Sequence, residues 1–237
     1  MPQWGTEADV TTTDTPVLDG ATILAGARRI VALVREHAAE VEAARRLTAP
    51  VVDALRDVGV FRMSMPTAWG GPELDILTQV EIVEVLSAAD ASAGWCAMIN
   101  SDSGFFVTAL SEADAREIPT LDCISAGQIA PVGKLEITDG GYRLSGRWSF
   151  GSGCTHADVI FGGAVLTKDG VPVPGPDGQP QARVALLPAG EVEVLDTWHT
   201  TGLCGTGSND YVVDGAIVHT GHTFEVDGPR SEGTLYR

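Results

Sequence analysis

The sequence predicts an α+β chain, helical up to about residue 120 and strand-rich after it, and three observations carry that expectation. Through the first half, apolar residues recur at spacings of three and four. From about Cys123 the period changes to two and glycine-proline turn signals multiply. Helical patterns come first and strand patterns second, with no internal repeat. The expected organisation is a disordered tail over 1–19, a helical domain over 20–120 and a β-domain over 121–237.

Ile23, Ala27, Ile30, Val31, Val34, Ala38, Val41 and Ala44 give one apolar face to a long first helix over Ala21 to Leu47. Thr48 with Pro50 two residues on reads as a cap and first turn, starting a short helix that ends at Gly59. Phe61 to Pro72 holds two prolines and an adjacent glycine pair and is expected to be a loop. Helical patterns follow over Ile76 to Ala89 and Ser92 to Leu110, then a start signal at Ser111. In the second half, Leu135 to Thr138 and Tyr142 to Ser145 flank Asp139-Gly-Gly, a hairpin signature. Val159 to Leu166, Ala182 to Leu187, Glu191 to Leu195 and Tyr211 to Val218 read as further short strands. Lys168 to Pro180, with four prolines and three glycines, reads as a loose surface loop.

With 237 residues, 44% of them hydrophobic and 20% charged, the chain is long enough to bury a substantial core. Its net charge of −17 repels polyphosphate backbones and anionic membrane surfaces, so neither nucleic acid nor membrane is an expected partner. Cys96, Cys123, Cys154 and Cys204 form no C-x-x-C pair, and free thiols are expected. The opening residues carry no basic and apolar leader pattern, which predicts a cytoplasmic protein. His219 and His222 have a metal-like spacing, yet no third ligand lies near them in the sequence, so they read as a solvated pair and no metal site is expected. Gly205-Thr-Gly has neither the preceding strand nor the following helix of a dinucleotide fingerprint.

Two segments carry more. The first is Gly140-Gly-Tyr-Arg-Leu-Ser-Gly-Arg-Trp-Ser-Phe-Gly-Ser-Gly-Cys-Thr-His-Ala-Asp158; the second is Trp198-His-Thr-Thr-Gly-Leu-Cys-Gly-Thr-Gly-Ser-Asn-Asp210. Both resemble flavin-side signatures of acyl-CoA dehydrogenase-like flavoproteins, in that family's order and approximate spacing. Val58-Gly-Val-Phe-Arg-Met-Ser-Met-Pro-Thr-Ala-Trp-Gly-Gly-Pro-Glu-Leu-Asp75 and Ala88-Ala-Asp-Ala-Ser-Ala-Gly-Trp95 resemble its helical segments. The resemblance covers most of residues 20 to 237 and is closest to the branch shared with two-component flavin monooxygenases. It implies an N-terminal helical domain followed by a middle antiparallel β-barrel or sandwich.

It also implies site residues. Phe150 stands where a family aromatic packs on the isoalloxazine, and Ser152 where a hydroxyl or amide meets the flavin near N5. Trp148 and Gly151 flank them, and Gln128, in Ile124-Ser-Ala-Gly-Gln-Ile-Ala-Pro-Val-Gly133, is a further polar contact. Trp148 and Phe150 share a strand, with one side chain expected to face each way. His156, His199, Asp102 and Ser103 are secondary candidates for contact with cofactor or substrate, and Trp198 either lines the pocket or plugs the sheet.

Two departures stand out. Cys204 replaces a frequent arginine, and Asn100-Ser-Asp-Ser-Gly104 lies where the monooxygenases often carry a histidine, which counts against a hydroxylase. The family's catalytic glutamate belongs to a C-terminal helical domain, so no general base is named among these residues. The function implied first is α,β-dehydrogenation of an acyl-CoA thioester, with FAD as cofactor and electron-transfer flavoprotein as acceptor. The alternative is a two-component monooxygenase taking FMN or reduced flavin from a flavin reductase to hydroxylate an aromatic or polyketide substrate. A third reading is an inactive fragment, or a subunit completed by a partner carrying the helical C-terminal domain; the full-length family implies a homo-oligomer.

Overall fold

Helix α1 (Gly20–Ala44) shows why the first half folds as it does. Asp19 caps it by accepting the Thr22 N–H, a bond worth about 1 kcal/mol, and Ile23, Ala27, Ile30, Val34 and Val41 bury one stripe. In this computed structural model, residues 18–118, 121–230 and 235 are described. The expected disordered tail therefore lies mostly outside the described residues, and its last two members belong to the fold: Leu18 packs on the helical core and Asp19 is the cap.

Arg45 turns left-handed to end α1, and α2 (Ala49–Asp57) starts with proline in its first turn. Single 3-10 turns at Val60–Arg62 and Thr67–Trp69 carry the chain through the expected loop. Helices α3 (Ile76–Ser87), α4 (Ala91–Ile99) and α6 (Glu112–Ala115) are capped by the side chains of Asp75, Asp90 and Ser111. The single helix expected over Ser92 to Leu110 is broken: α4 ends at Ile99 and α5 (Ser103–Ala109) begins after Asp102. The cause is Asn100, fully buried, whose amide donates to the carbonyls of Ser125 and Ser152 at 2.8 and 2.9 Å. Those bonds tie the break to the second half of the chain.

The second half is an eight-stranded sheet: β1 (Ser125–Thr138), β2 (Gly141–Gly151), β3 (Val159–Lys168), β4 (Val171–Pro172), β5 (Ala182–Pro188), β6 (Glu193–Val194), β7 (Asn209–Val218) and β8 (Thr223–Phe224). The order is β6-β7-β2-β1-β3-β5-β8, with β4 paired to β3, and every pairing is antiparallel except β1 with β3. The proline-rich loop is more ordered than its composition implies, since β4 and a Pro174 to Pro180 bridge fold it back on β3. The strand expected over Glu191 to Leu195 shrinks to β6 because a 3-10 turn takes Ala189–Glu191.

Two arginines grip the connection between the halves. Arg56 donates to the Asp122 carbonyl at 2.8 Å and pairs with Asp158 at 3.2 Å, while Arg62 makes a two-pronged contact with the Asp122 carboxylate. A helical core and a sheet core are joined by a third cluster, in which Met65, Phe106, Val107 and Leu110 pack with Val159, Phe161, Val184, Leu186 and Phe224.

Candidate functional site

The end of β2 decides where the site lies. Trp148 is 1% exposed, its indole N–H donates to the Gly163 carbonyl at 2.8 Å, and its ring stacks on Tyr211 at 5.4 Å. Gly133, Gly146 and Gly162 form its bed: a Cβ on any of them would sit 2.4 to 2.6 Å from the ring. Trp148 is therefore a core residue, and the structure does not bring it to a ligand surface. Two residues on, Phe150 is 66% exposed. Residues two apart on a regular strand share a face, so alternation cannot separate this pair. What separates them is the left-handed backbone of Phe150, φ +64°, at a register shift between Trp148 and Gly151 against β7. A bulky residue in that region is strained by about 1–2 kcal/mol, and the strain turns an aromatic ring outward from a packed sheet.

Beside Phe150 stands a second, half-buried aromatic. Trp198 meets its ring edge-on at 6.1 Å. The Asn209 side chain, accepting the Thr197 and Trp198 amides at 2.9 Å, fixes Trp198 together with Arg45, which donates to the Trp198 carbonyl at 3.0 Å and pairs with Asp196. On the neighbouring strand, β1 bulges: five positions, Gln128 to Gly133, advance against two on β3, Gly162 to Ala164. The bulge crosses Gly163, where a Cβ would lie 2.0 Å from the Ile129 carbonyl, and it leaves Ile129 and Val132 exposed. Gln128 is half-buried at its start, its side chain donating to the Ser149 carbonyl at 3.0 Å. Gly151 packs against Tyr211, where a side chain would clash at 2.8 Å.

Beneath lies a hydroxyl chain. The Trp95 indole N–H donates to Ser152 Oγ at 2.9 Å; Ser152 Oγ lies 2.7 Å from Ser208 Oγ, and Ser208 Oγ lies 2.6 Å from Thr206 Oγ1. Thr206 Oγ1 donates to the Leu203 carbonyl at 2.9 Å. That last bond orders the rest: Ser208 donates to Thr206 and Ser152 donates to Ser208. Every hydroxyl proton is then used inside the chain, and Ser152 keeps a lone pair but no proton for anything outside. The second flavin-side segment already contained Thr206 and Ser208, but only the fold shows that they bond to Ser152 in a chain and that Trp95 donates into it.

The secondary candidates separate. His156 is half-buried, with both ring nitrogens enclosed and neither hydrogen-bonded; burial, then the Arg56 and Arg46 charges, push it down to about 4, so it is neutral at pH 7. His199 is exposed beside Asp196. Asp102 sits at the break before α5, and burial alone raises its carboxyl to about 6. Ser103 is buried below it. Cys204 directs its thiol at the Thr200 carbonyl, 3.0 Å away. Among the described residues no helix is long and apolar enough to cross a membrane. His219 and His222 are not alone: the fold brings the Glu117 carboxylate to 3.0 Å from the His222 ring, from 105 positions away in the chain. That distance in sequence is why the spacing argument found no third ligand.

Residues 21–114 match the family described as acyl-CoA dehydrogenase, N-terminal domain. The oxygenase component of FADH2-dependent resorcinol hydroxylase from a Rhizobium species is 37% identical over 188 residues, 78% of this chain and 44% of that protein. The solved structure of the HsaA monooxygenase from Mycobacterium tuberculosis superposes with a TM-score of 0.78 at 31% identity, covering 87% of this chain and 53% of that one. XiaF from a Streptomyces species, solved with FADH2 and glycerol, gives 0.78 at 27% identity over 92% and 52%. The chain thus spans about half the length of the relatives it matches. Matching residues, fold and homologues agree: residues 21–114 are an acyl-CoA dehydrogenase N-terminal domain, and the chain's homologues are the oxygenase components of flavin-dependent monooxygenases.

Proposed function

We propose that the chain is the flavin-binding portion of the oxygenase component of a two-component monooxygenase. It would take reduced flavin, FADH2 or FMNH2, from a separate reductase and hydroxylate a small aromatic substrate. The relatives' activities favour this over acyl-thioester dehydrogenation, which the sequence implied first. They also outweigh the missing histidine, since Asn100 has a structural task that a histidine could not perform with the same two donors.

The observation that carries the reading is the polarity of the hydroxyl chain. Oxidised flavin presents a bare N5 that needs a donor; reduced flavin presents an N–H that needs an acceptor. Facing N5, as the resemblance implies, Ser152 offers only a lone pair, because its proton goes to Ser208. Reversing the chain sacrifices the Thr206 bond to Leu203, so the preference for the reduced form equals about one hydrogen bond, on the order of 1 kcal/mol or severalfold in affinity. Phe150 and Trp198 supply aromatic faces for a flat ring, and Gln128 and Gly151 hold the strand ends beside them. Bound flavin supplies the oxygen chemistry; the protein's part is to hold it, to match its hydrogen-bonding state and to surround it with apolar groups.

The test is an anaerobic titration of the chain with reduced and oxidised FAD and FMN, followed by fluorescence. Tighter binding of a reduced flavin is expected. Equal or tighter binding of the oxidised form, or no binding of either, defeats the proposal. Hydroxylation of phenolic or indolic compounds in the presence of a flavin reductase and NADH then reports on substrate class.

A further inference from the structure

Away from the flavin-side surface, at the junction between the end of the helical half and the far edge of the sheet, four metal-competent side chains converge. Helix α6 and the turn after it contribute Asp114 and Glu117; the 3-10 turn Thr220–His222 and the residue before it contribute His219 and His222. One donor atom from each of Glu117, His219 and His222 lies within 4.8 Å of the others. The rings of His219 and His222 meet edge-on with centroids 5.3 Å apart, and an Asp114 oxygen lies 3.7 Å from His219 Nδ1. Gly221 makes this approach possible, since a Cβ there would lie 1.8 Å from an Asp114 carboxylate oxygen.

We propose that Glu117, His219 and His222 form a binding site for a divalent transition metal of the zinc class, with Asp114 or water in the fourth position. Two imidazoles and a carboxylate are a donor set that zinc takes in tetrahedral geometry, with donors roughly 3.3 Å apart at bond lengths near 2.0–2.1 Å. Closing from 4.8 Å asks for about 1.5 Å of movement, within reach of side-chain rotation at Glu117 and His219, which are 58% and 51% exposed. His222 is the fixed member: its side chain is 3% exposed, with Nε2 already aimed at the Glu117 carboxylate.

Such a metal would be structural. It would tie the segment that leaves the helices to the turn that introduces edge strand β8, two parts of the chain otherwise held together by the Phe106 and Phe224 cluster. The spacing H-x-x-H gives two ligands on one short turn, and the acidic pair Asp114 and Glu117 gives the rest at the matching spacing of three.

Co2+ and Zn2+ titrations of the metal-stripped chain at neutral pH test this. One equivalent of Co2+ is expected to give the intense visible bands of a four- or five-coordinate site, abolished by Zn2+ competition, and Zn2+ is expected to raise the melting temperature. Glu117→Gln and His219→Ala, both at exposed positions, should each weaken Co2+ affinity at least tenfold. His37→Ala, which removes a surface histidine paired with a single carboxylate, should leave it unchanged. Absence of the visible bands, or bands and affinity unaffected by Glu117→Gln and His219→Ala, overturns the proposal.

Discussion

Replacing Gly162 by alanine tests the packing of Trp148, two residues before Phe150. Gly162 is not left-handed, so alanine meets no backbone strain. What it meets is Trp148: an added Cβ would lie 2.6 Å from Cζ2 and 2.7 Å from Cε2, and the third nearest atom, at 3.1 Å, belongs to the same ring. Carbon atoms rest about 3.5–4.0 Å apart, so ring or strand must move, at a cost of about 1–3 kcal/mol. Trp148→Phe alone strands the buried Gly163 carbonyl and empties the space of the outer ring, about 2–4 kcal/mol. Combined, the methyl group enters the space that the ring has left. The double variant should therefore be about 1–2 kcal/mol more stable than the sum of the single effects, a coupling typical of direct contacts. Equilibrium urea unfolding followed by circular dichroism measures all three variants against the parent. Additivity within about 0.5 kcal/mol would refute the idea that Trp148 is what keeps Gly162 bare.

Ser208→Ala frees the Ser152 proton, so the ratio of oxidised to reduced flavin affinity should move towards the oxidised form by about three- to tenfold; an unchanged ratio in paired anaerobic titrations contradicts the ordered hydroxyl chain. Phe150→Gly removes an exposed ring and relieves a left-handed backbone. Stability should stay level or rise by up to about 1 kcal/mol, while flavin affinity falls at least tenfold; a clear loss of stability on thermal melting would show that the ring is structural. Asp102, raised to about 6 in the folded chain, binds its proton more tightly than in the unfolded chain. Its contribution is thus most favourable below pH 4 and is lost as pH rises to about 6. Asp102→Asn should flatten stability across that window and gain on the order of 2 kcal/mol at pH 7.5, and an unaltered pH profile in urea melts would count against burial as the cause.

Local signals were legible wherever a residue acts on its own neighbours. Ser111, read as a helix start, caps α6 by a bond three positions on, and the hairpin at Asp139-Gly-Gly is set by its own turn; Asp19, Asp75 and Asp90 cap their helices in the same local way, while Thr48, read as a cap, makes no capping side-chain bond. The first helix begins within one residue of its expected start and ends three residues early, at a left-handed Arg45 committed to Asp196. What escaped was decided at a distance. Asn100 breaks a helix to reach Ser125 and Ser152, and Glu117 meets His222 from the other half of the chain. The turn at Phe150 is a third case: the motif marked the residue as flavin-facing, but a strand period could not separate it from Trp148, since only a change of backbone region puts the two on opposite sides. Gln128, Gly151, Phe150 and Ser152 do gather at one end of the sheet; Trp198 and Ser208 come from the second signature segment, and Trp95 joins them by a contact that no linear spacing encodes.

Asn100 pins the break between α4 and α5 to the two strands that frame the candidate site. Its amide holds the entry of β1 with one hydrogen and the exit of β2 with the other, while its own helix ends on it. A tilt of the helices relative to the sheet strains these bonds together with the Arg45, Arg56 and Arg62 ties. The exposed aromatic at Phe150 and the hydroxyl of Ser152 sit within two residues of that pin. Their position is therefore tied to the end of α4.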